Sequence, residues 1–264
     1  MSQSLKVPTM AECMAAGKQP EILFWVGSAG SYDDRAKKIT RAFVKLLNKA
    51  NVDFAVLGTE ESCTGDVAKR AGNEFLFQMQ AMTNIEVLNA YEVKRIVTAC
   101  PHSYNTLKNE YPQLGGVYEV KHHTQYLEEL IQSGRLKVSN DSSLKGKRIT
   151  FHDPCYLGRA NDVYEAPRSL LETLGVDLVE MKRNRNRALC CGAGGAQMFK
   201  EPEKGDKDIN VLRTEDAIKT NPNIIATACP YCNTMMTDGV KAKERESDIK
   251  VFDVAELLAK ADEL

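Results

Sequence analysis

At 264 residues the chain has room for one large domain or two of ordinary size. Hydrophobic residues make up 43% and charged residues 27%, and the formal net charge of −1 argues against binding nucleic acid by neutralising phosphates. No apolar run approaches the ~20 residues that span a bilayer. The opening MSQSLKVPTMAECMAAGKQP holds no signal-type apolar core, so a cytoplasmic protein that meets a membrane only through a partner is expected.

Residues 1–20 read as a loose N-terminal extension, with Cys13 a bystander thiol. Short β-rich runs then follow in order: EILFWVG, VDFAVLG, RIVTAC and GVYEV in the first half, RITFHD, VDLVEM, IIATAC and IKVFDV in the second. Amphipathic stretches with helical spacing lie between them, such as DDRAKKITRAFVKLLNKA and EAPRSLLETLG. Strand and helix alternate throughout, which predicts an α/β protein with mostly parallel sheets flanked by helices. The polar stretch QSGRLKVSNDSSLKGK, 132–147, reads as a linker between a domain over 21–131 and another over 148–264.

The two halves read as copies. RAFVKLLNKANVDFAVLG matches RSLLETLGVDLVEM in kind, a helix, a tight turn and a Val-Asp strand. VYEVKHHTQYLEELI likewise matches IKVFDVAELLAKA, and IVTACPHSYNTL matches IIATACPYCNTM. A repeat of this length is a duplicated domain rather than a solenoid unit.

Eight cysteines stand at 13, 63, 100, 155, 190, 191, 229 and 232. In a reducing compartment, metal ligation or redox chemistry is a better expectation for them than structural crosslinks. In the second half Cys155 precedes the adjacent pair Cys190-Cys191 and Gly192, followed by Cys229 and Cys232 in CPYC. These positions fall where strands give way to loops, the ends at which open α/β sheets place their sites. Five thiolates converging there would meet the need of a polynuclear iron–sulfur cluster for several soft ligands around one cavity.

Gly192, Gly194 and Gly195 allow close backbone approach and offer N–H groups to sulfur. His152, in HDPC, is a candidate to hydrogen-bond the cluster or else a satisfied structural histidine. Lys182, Arg183, Arg185 and Arg187, in KRNRNR, would offset negative charge, hold an anionic substrate or form a solvated turn.

Register with the first half sharpens this pattern. Ser28 lies 127 positions before Cys155, Ser62-Cys63 lies 128 before Cys190-Cys191, and Cys100 and Ser103 lie 129 before Cys229 and Cys232. Three of five thiols are hydroxyls there, and two cysteines do not hold a cluster of the usual four-ligand type. Cys63 and Cys100 read as remnants, with buried small hydrophobes, a redox dithiol or a pocket lining as alternatives. His102, His122 and His123 read as polar histidines near loops, and Trp25 as core. Two other readings of the second half stay open: a glutaredoxin-like dithiol at CPYC, and a structural zinc, which takes four ligands and leaves one of the five thiols over.

Cys, then Cys-Cys-Gly, then Cys-x-x-Cys resembles the cysteine-rich CCG domain, which occurs in tandem in the B subunit of heterodisulfide reductase. Related subunits of glycolate oxidase, anaerobic glycerol-3-phosphate dehydrogenase and the lactate-utilisation iron–sulfur protein carry it too. ESCTGD, RAGNEFLFQM, NTLKNEYP, HHTQYL and RALCCGAGG resemble one branch of the family, the iron–sulfur part of a bacterial oxidoreductase carrying electrons from electron-transfer flavoprotein to menaquinone. The resemblance implies two tandem CCG domains, the first degenerate. It also implies one 4Fe–4S cluster of non-cubane type on Cys155, Cys190, Cys191, Cys229 and Cys232. Electron transfer within a larger oxidoreductase is the implied function, between a partner redox protein and a quinone or disulfide-type acceptor. The implied partners are a ferredoxin-type or membrane cytochrome-like subunit and electron-transfer flavoprotein. The alternatives are the catalytic part of a 2-hydroxy-acid oxidising complex and a zinc-binding protein without redox function.

Overall fold

The computed structural model describes residues 5–139, 143–201 and 204–264. The chain divides into two compact units, Met1–Lys137 and Val138–Leu264. Part of the expected linker, residues 140–142, lies outside the described residues.

The first unit begins with α1 (Met10–Ala15). It continues with β1 (Ile22–Trp25), α2 (Gly27–Tyr32), α3 (Ala36–Lys49), β2 (Phe54–Ala55), α4 (Asp66–Arg70) and α5 (Glu74–Ala90). Then come β3 (Arg95–Thr98), α6 (Pro101–Asn105), β4 (Glu119–His122) and α7 (His123–Gln132). The second unit contains β5 (Arg148–Phe151), α8 (Glu165–Glu172), β6 (Asp177–Leu178), α9 (Ile209–Ile218), β7 (Ile224–Thr227), α10 (Pro230–Ala242), β8 (Lys250–Asp253) and α11 (Val254–Ala261).

Each unit has one four-stranded, wholly parallel sheet, in the order β2-β1-β3-β4 and again β6-β5-β7-β8. The eight apolar runs all supply strands. β1 and β7 are buried along their whole length, as expected of parallel strands covered on both faces by helices. Helix α3 covers its sheet with a stripe in which Ile39, Ala42, Phe43, Leu46 and Leu47 recur at helical spacing. Trp25 is fully buried in the first sheet, as its apolar neighbours predict.

Over its described residues, 5–20, the extension is not loose. Thr9 and Glu12 form a capping box that closes the first turn of α1. The Met10 N–H donates to Val56 O at 2.9 Å, and the Val56 N–H donates to Pro8 O at 3.0 Å, so this segment pairs beside β2. Met10 and Cys13 are buried as a result.

In both sheets the chain leaves the first strand in one direction and returns to build in the other, so the switch of direction falls between β1 and β3, and between β5 and β7. Open α/β sheets present their ligand crevice at this place, beyond the carboxyl ends of the strands. The loop after β5 carries Cys155 and the loop after β7 carries Cys229.

Candidate metal centre

Strand β5 ends at Phe151, and pairing with β7 continues one residue further through the His152 N–H, which donates to Ala226 O at 2.9 Å. The chain then turns through Asp153 and Pro154 to Cys155. Cys229 is the N-cap of α10, Pro230 follows at its first position, and Cys232 falls in the same first turn. The x-x of CPYC thus brings both thiols to the positive end of a thirteen-residue helix, where thiolates are favoured. Cys190 and Cys191 arrive on the loop that leaves β6.

All five expected thiols converge. Cys191, Cys229 and Cys232 are buried, Cys155 and Cys190 are half-buried, and none is in a disulfide. They form a continuous chain of sulfur contacts: Cys155 to Cys190, Cys190 to Cys191, Cys191 to Cys232, and Cys232 to Cys229. Hydrogen bonds from the Cys155 and Cys191 thiols, with the Gly192 N–H at 3.3 Å, hold Cys190 far below the ordinary thiol range. The contact with Cys190 and burial push Cys155 and Cys191 up, against a downward pull of Cys232 on Cys191, and contacts with Cys191 and Cys229 together with burial push Cys232 up. Ala193, Met198, Tyr231 and Met235 pack around Cys191, Cys229 and Cys232.

The three glycines separate. Gly192 has a left-handed φ of +91°, a Cβ there would stand 3.3 Å from the Ile209 Cβ, and its N–H is the one that reaches sulfur. Gly195 is also left-handed, at +66°, but with open space around it. The Gly194 carbonyl accepts from the Gln197 N–H at 3.2 Å, closing the turn that follows.

His152 is 1% exposed, and one of its ring nitrogens lies with Cys191 Sγ and Cys232 Sγ in a trio whose atoms are all within 4.8 Å of one another. Its Nδ1 accepts from Arg213 Nε at 3.0 Å, while its Nε2 is buried without a hydrogen-bond partner among the described residues. Burial and the Arg213 charge hold the ring well below the usual histidine pKa. Arg213, on α9, is itself fully buried, and its Nη2 also lacks a partner among the described residues. Two buried donor groups unmatched among the described residues, on side chains that neighbour Cys191 and Cys232, fit an anionic, sulfur-rich group, whose acceptors would satisfy them.

The cations of KRNRNR turn elsewhere. Arg183 pairs with Asp216 at 2.6 Å, Arg185 pairs with Glu165 at 3.1 Å, and Lys182 and Arg187 are exposed. Asp153 belongs to no cysteine spacing, yet it anchors the loop. Its two oxygens take Arg168 in a bidentate pair at 2.8 and 3.0 Å, and Oδ2 also accepts the Arg185 N–H at 2.8 Å. Both partners are 3% exposed, and the Arg168 guanidinium stacks on Phe151.

The matching place in the first unit is filled differently. Glu61 accepts the Val26 N–H at 2.9 Å and the Gly27 N–H at 2.6 Å. Ser62 Oγ donates to Asn84 Oδ1 at 2.9 Å, and Asn84 Nδ2 donates to Cys63 O and the Tyr111 hydroxyl. Cys100 is the buried N-cap of α6, and Cys63 is half-buried. His102 pairs with Asp66 at 2.9 Å, and His122 and His123 are fully buried and in contact with each other. Carboxylate, hydroxyl and amide groups therefore close this site with hydrogen bonds.

The cysteine-rich CCG domain matches the chain twice, over residues 22–108 and 149–237. The chain belongs to the CCG family. Among curated CCG relatives, "Probable iron-sulfur-binding oxidoreductase FadF" of Bacillus subtilis is 52% identical, over 97% of this chain and 36% of that protein. The "EtfAB:quinone oxidoreductase" of Syntrophomonas wolfei is 49% identical, over 93% and 35%. One component of the dihydromethanophenazine:CoB–CoM heterodisulfide reductase of Methanosarcina barkeri is 36% identical, over 91% and 59%. The chain thus spans little more than a third of the first two relatives. Among the described residues no helix is long and apolar enough to cross a membrane.

The first match ends just past α6 and the second inside α10, so each CCG domain includes its own copy of the Thr-Ala-Cys-Pro strand end. Arg213 is invisible to motif reading because it belongs to no cysteine spacing and meets His152 only across the fold, from 61 residues away.

Proposed function

We propose that this chain is the electron-transfer part of a larger iron–sulfur oxidoreductase, its second CCG domain holding a single 4Fe–4S cluster of non-cubane type. Cys155, Cys190, Cys191, Cys229 and Cys232 are its ligands, and Gly192 and His152 donate hydrogen bonds to its sulfurs. The observation that carries this reading is the unbroken run of five free thiols at the switch point of one parallel sheet. When bound, the cluster supplies one-electron exchange. The chain's own part is to hold it, to keep water from its inner side with Met198, Tyr231 and Met235, and to set its potential through burial and N–H donors.

The names of the relatives support the direction of traffic: one is an EtfAB:quinone oxidoreductase, another a component of heterodisulfide reductase. Electron-transfer flavoprotein as donor, a ferredoxin-type or cytochrome-like subunit as neighbour, and a quinone or disulfide as final acceptor follow as the proposed partners. Membrane association comes through such a partner, with the chain on the cytoplasmic side. Domain limits of 21–131 and 148–264 go with this reading.

Anaerobic reconstitution with iron and sulfide tests it. A brown protein with about four irons per chain and an EPR signal on redox poising is expected. Colourless protein that takes up stoichiometric zinc instead would overturn the reading. Cys191→Ser should abolish the visible absorbance, whereas Cys63→Ser should leave it in place; equal loss in both would mean that the first domain takes part in ligation.

A further inference from the structure

We infer that Arg213 is a positioning residue that fixes His152 as an Nε2–H donor toward the cysteine cavity and thereby keeps it from being a metal ligand. The inference rests on the cluster reading above.

A guanidinium has only donors. Its Nε, 3.0 Å from His152 Nδ1, must therefore meet a lone pair there. An imidazole whose Nδ1 accepts carries its single proton on Nε2, and a protonated Nε2 has no lone pair to give a metal. That Nε2 is buried and has no partner among the described residues, and one nitrogen of the same ring lies with the Cys191 and Cys232 sulfurs. The ring cannot turn over to exchange its nitrogens without breaking the bond to Arg213, because His152 is 1% exposed and its backbone N–H is tied to β7.

Arg213 is in turn held in place. Its Nη1 donates to the Arg183 carbonyl at 2.7 Å, and Asp216 lies 3.8 Å away on the same helix. A fully buried arginine is costly unless something fixes and compensates it. Asp216 is shared with Arg183 and Lys219, so this arginine is short of negative charge, and Cys232 of the neighbouring cavity is among the groups that act to offset it. The trio His152, Cys191 and Cys232 has the look of a mononuclear metal site by distance alone. Proton placement removes the histidine from it and turns it into a donor that a sulfur ligand or sulfide accepts. Hydrogen bonds of that kind raise a cluster's potential.

Pulsed EPR on the anaerobically reconstituted protein, labelled with ¹⁵N-histidine, tests this. Wild type should show one weak histidine nitrogen coupling together with a solvent-exchangeable proton. R213M should keep its iron, lose that coupling and titrate at a lower midpoint potential; H152L should lose the coupling and fall in potential as well. If R213M falls in potential with the coupling intact, Arg213 acts by charge alone and the inference is overturned. Should R213M take up no iron, wild type decides: a coupling of ligand strength, or none, overturns the inference, and a weak coupling with an exchangeable proton sustains it. A wild type that binds no iron and sulfide would sink the cluster reading itself, a result read from composition before any spectrum.

Discussion

Asp153 bears on the site without touching a sulfur. With Arg168 it forms a buried ion pair whose loss leaves the guanidinium with Glu180 and the Tyr164 carbonyl to answer it. Removing one partner of such a pair costs about 3–5 kcal/mol, so Asp153→Asn should lower the melting temperature of the second unit and its cluster retention together, as followed by circular dichroism and iron content. In the first unit, burial lifts the Glu61 carboxyl to about 7 against the pull of its two backbone N–H bonds. The folded chain then binds this proton more tightly than the unfolded one. Its stabilising effect is complete below the unfolded value near 4.5 and is lost as pH rises through 7. Denaturant titrations should find about 2 kcal/mol less stability at pH 8 than at pH 5 from this group, and Glu61→Gln should flatten that slope. The five cysteines were legible because few chemistries need adjacent soft ligands at such spacings. Asp153, Arg168 and Arg213 were not, since their meaning lies in partners 15 to 61 residues away.

Helices α9 and α10 touch most closely at Gly239. A Cβ there would stand 2.1 Å from Thr214 Oγ1 and 2.9 Å from the Asn210 carbonyl oxygen, and the second of these is backbone that cannot swing aside. Gly239→Ala should therefore push the two helices apart, at a cost of about 1–3 kcal/mol. Because α9 carries Arg213 and α10 carries Cys232, calorimetry and the visible spectrum of the reconstituted protein should change together. Strands were readable at this scale from β-rich runs between helical stretches, even where pairing reduces to two residues in β2 and β6. Helix α1 was not. It is six residues long, too short for a periodic stripe, and depends on its cap and on pairing with Val56.

Across the whole molecule the duplication was visible in offsets of 127, 128 and 129 residues, and the identical strand order of the two sheets gives it a structural form. What the offsets could not tell is how each copy is stabilised. The second unit gathers five thiols, the donor set of the proposed cluster, whereas the first closes its site with hydrogen bonds. Metal binding adds to the stability of the unit that holds it. Anaerobic chelation of iron should thus raise amide hydrogen exchange at least tenfold across the core of 138–264 and leave 1–137 unchanged, as read by mass spectrometry. Equal deprotection of both would contradict this division.

The clasp of Glu61 on the Val26 and Gly27 amides has a consequence for any rebuilding of the first copy. Its counterpart by register is Leu189, which brings no charge to the cysteine cavity. Cysteine at positions 28, 62 and 103 would set new thiolates beside an acid already seated on the loop, so a five-thiol cavity here would also need Glu61 replaced.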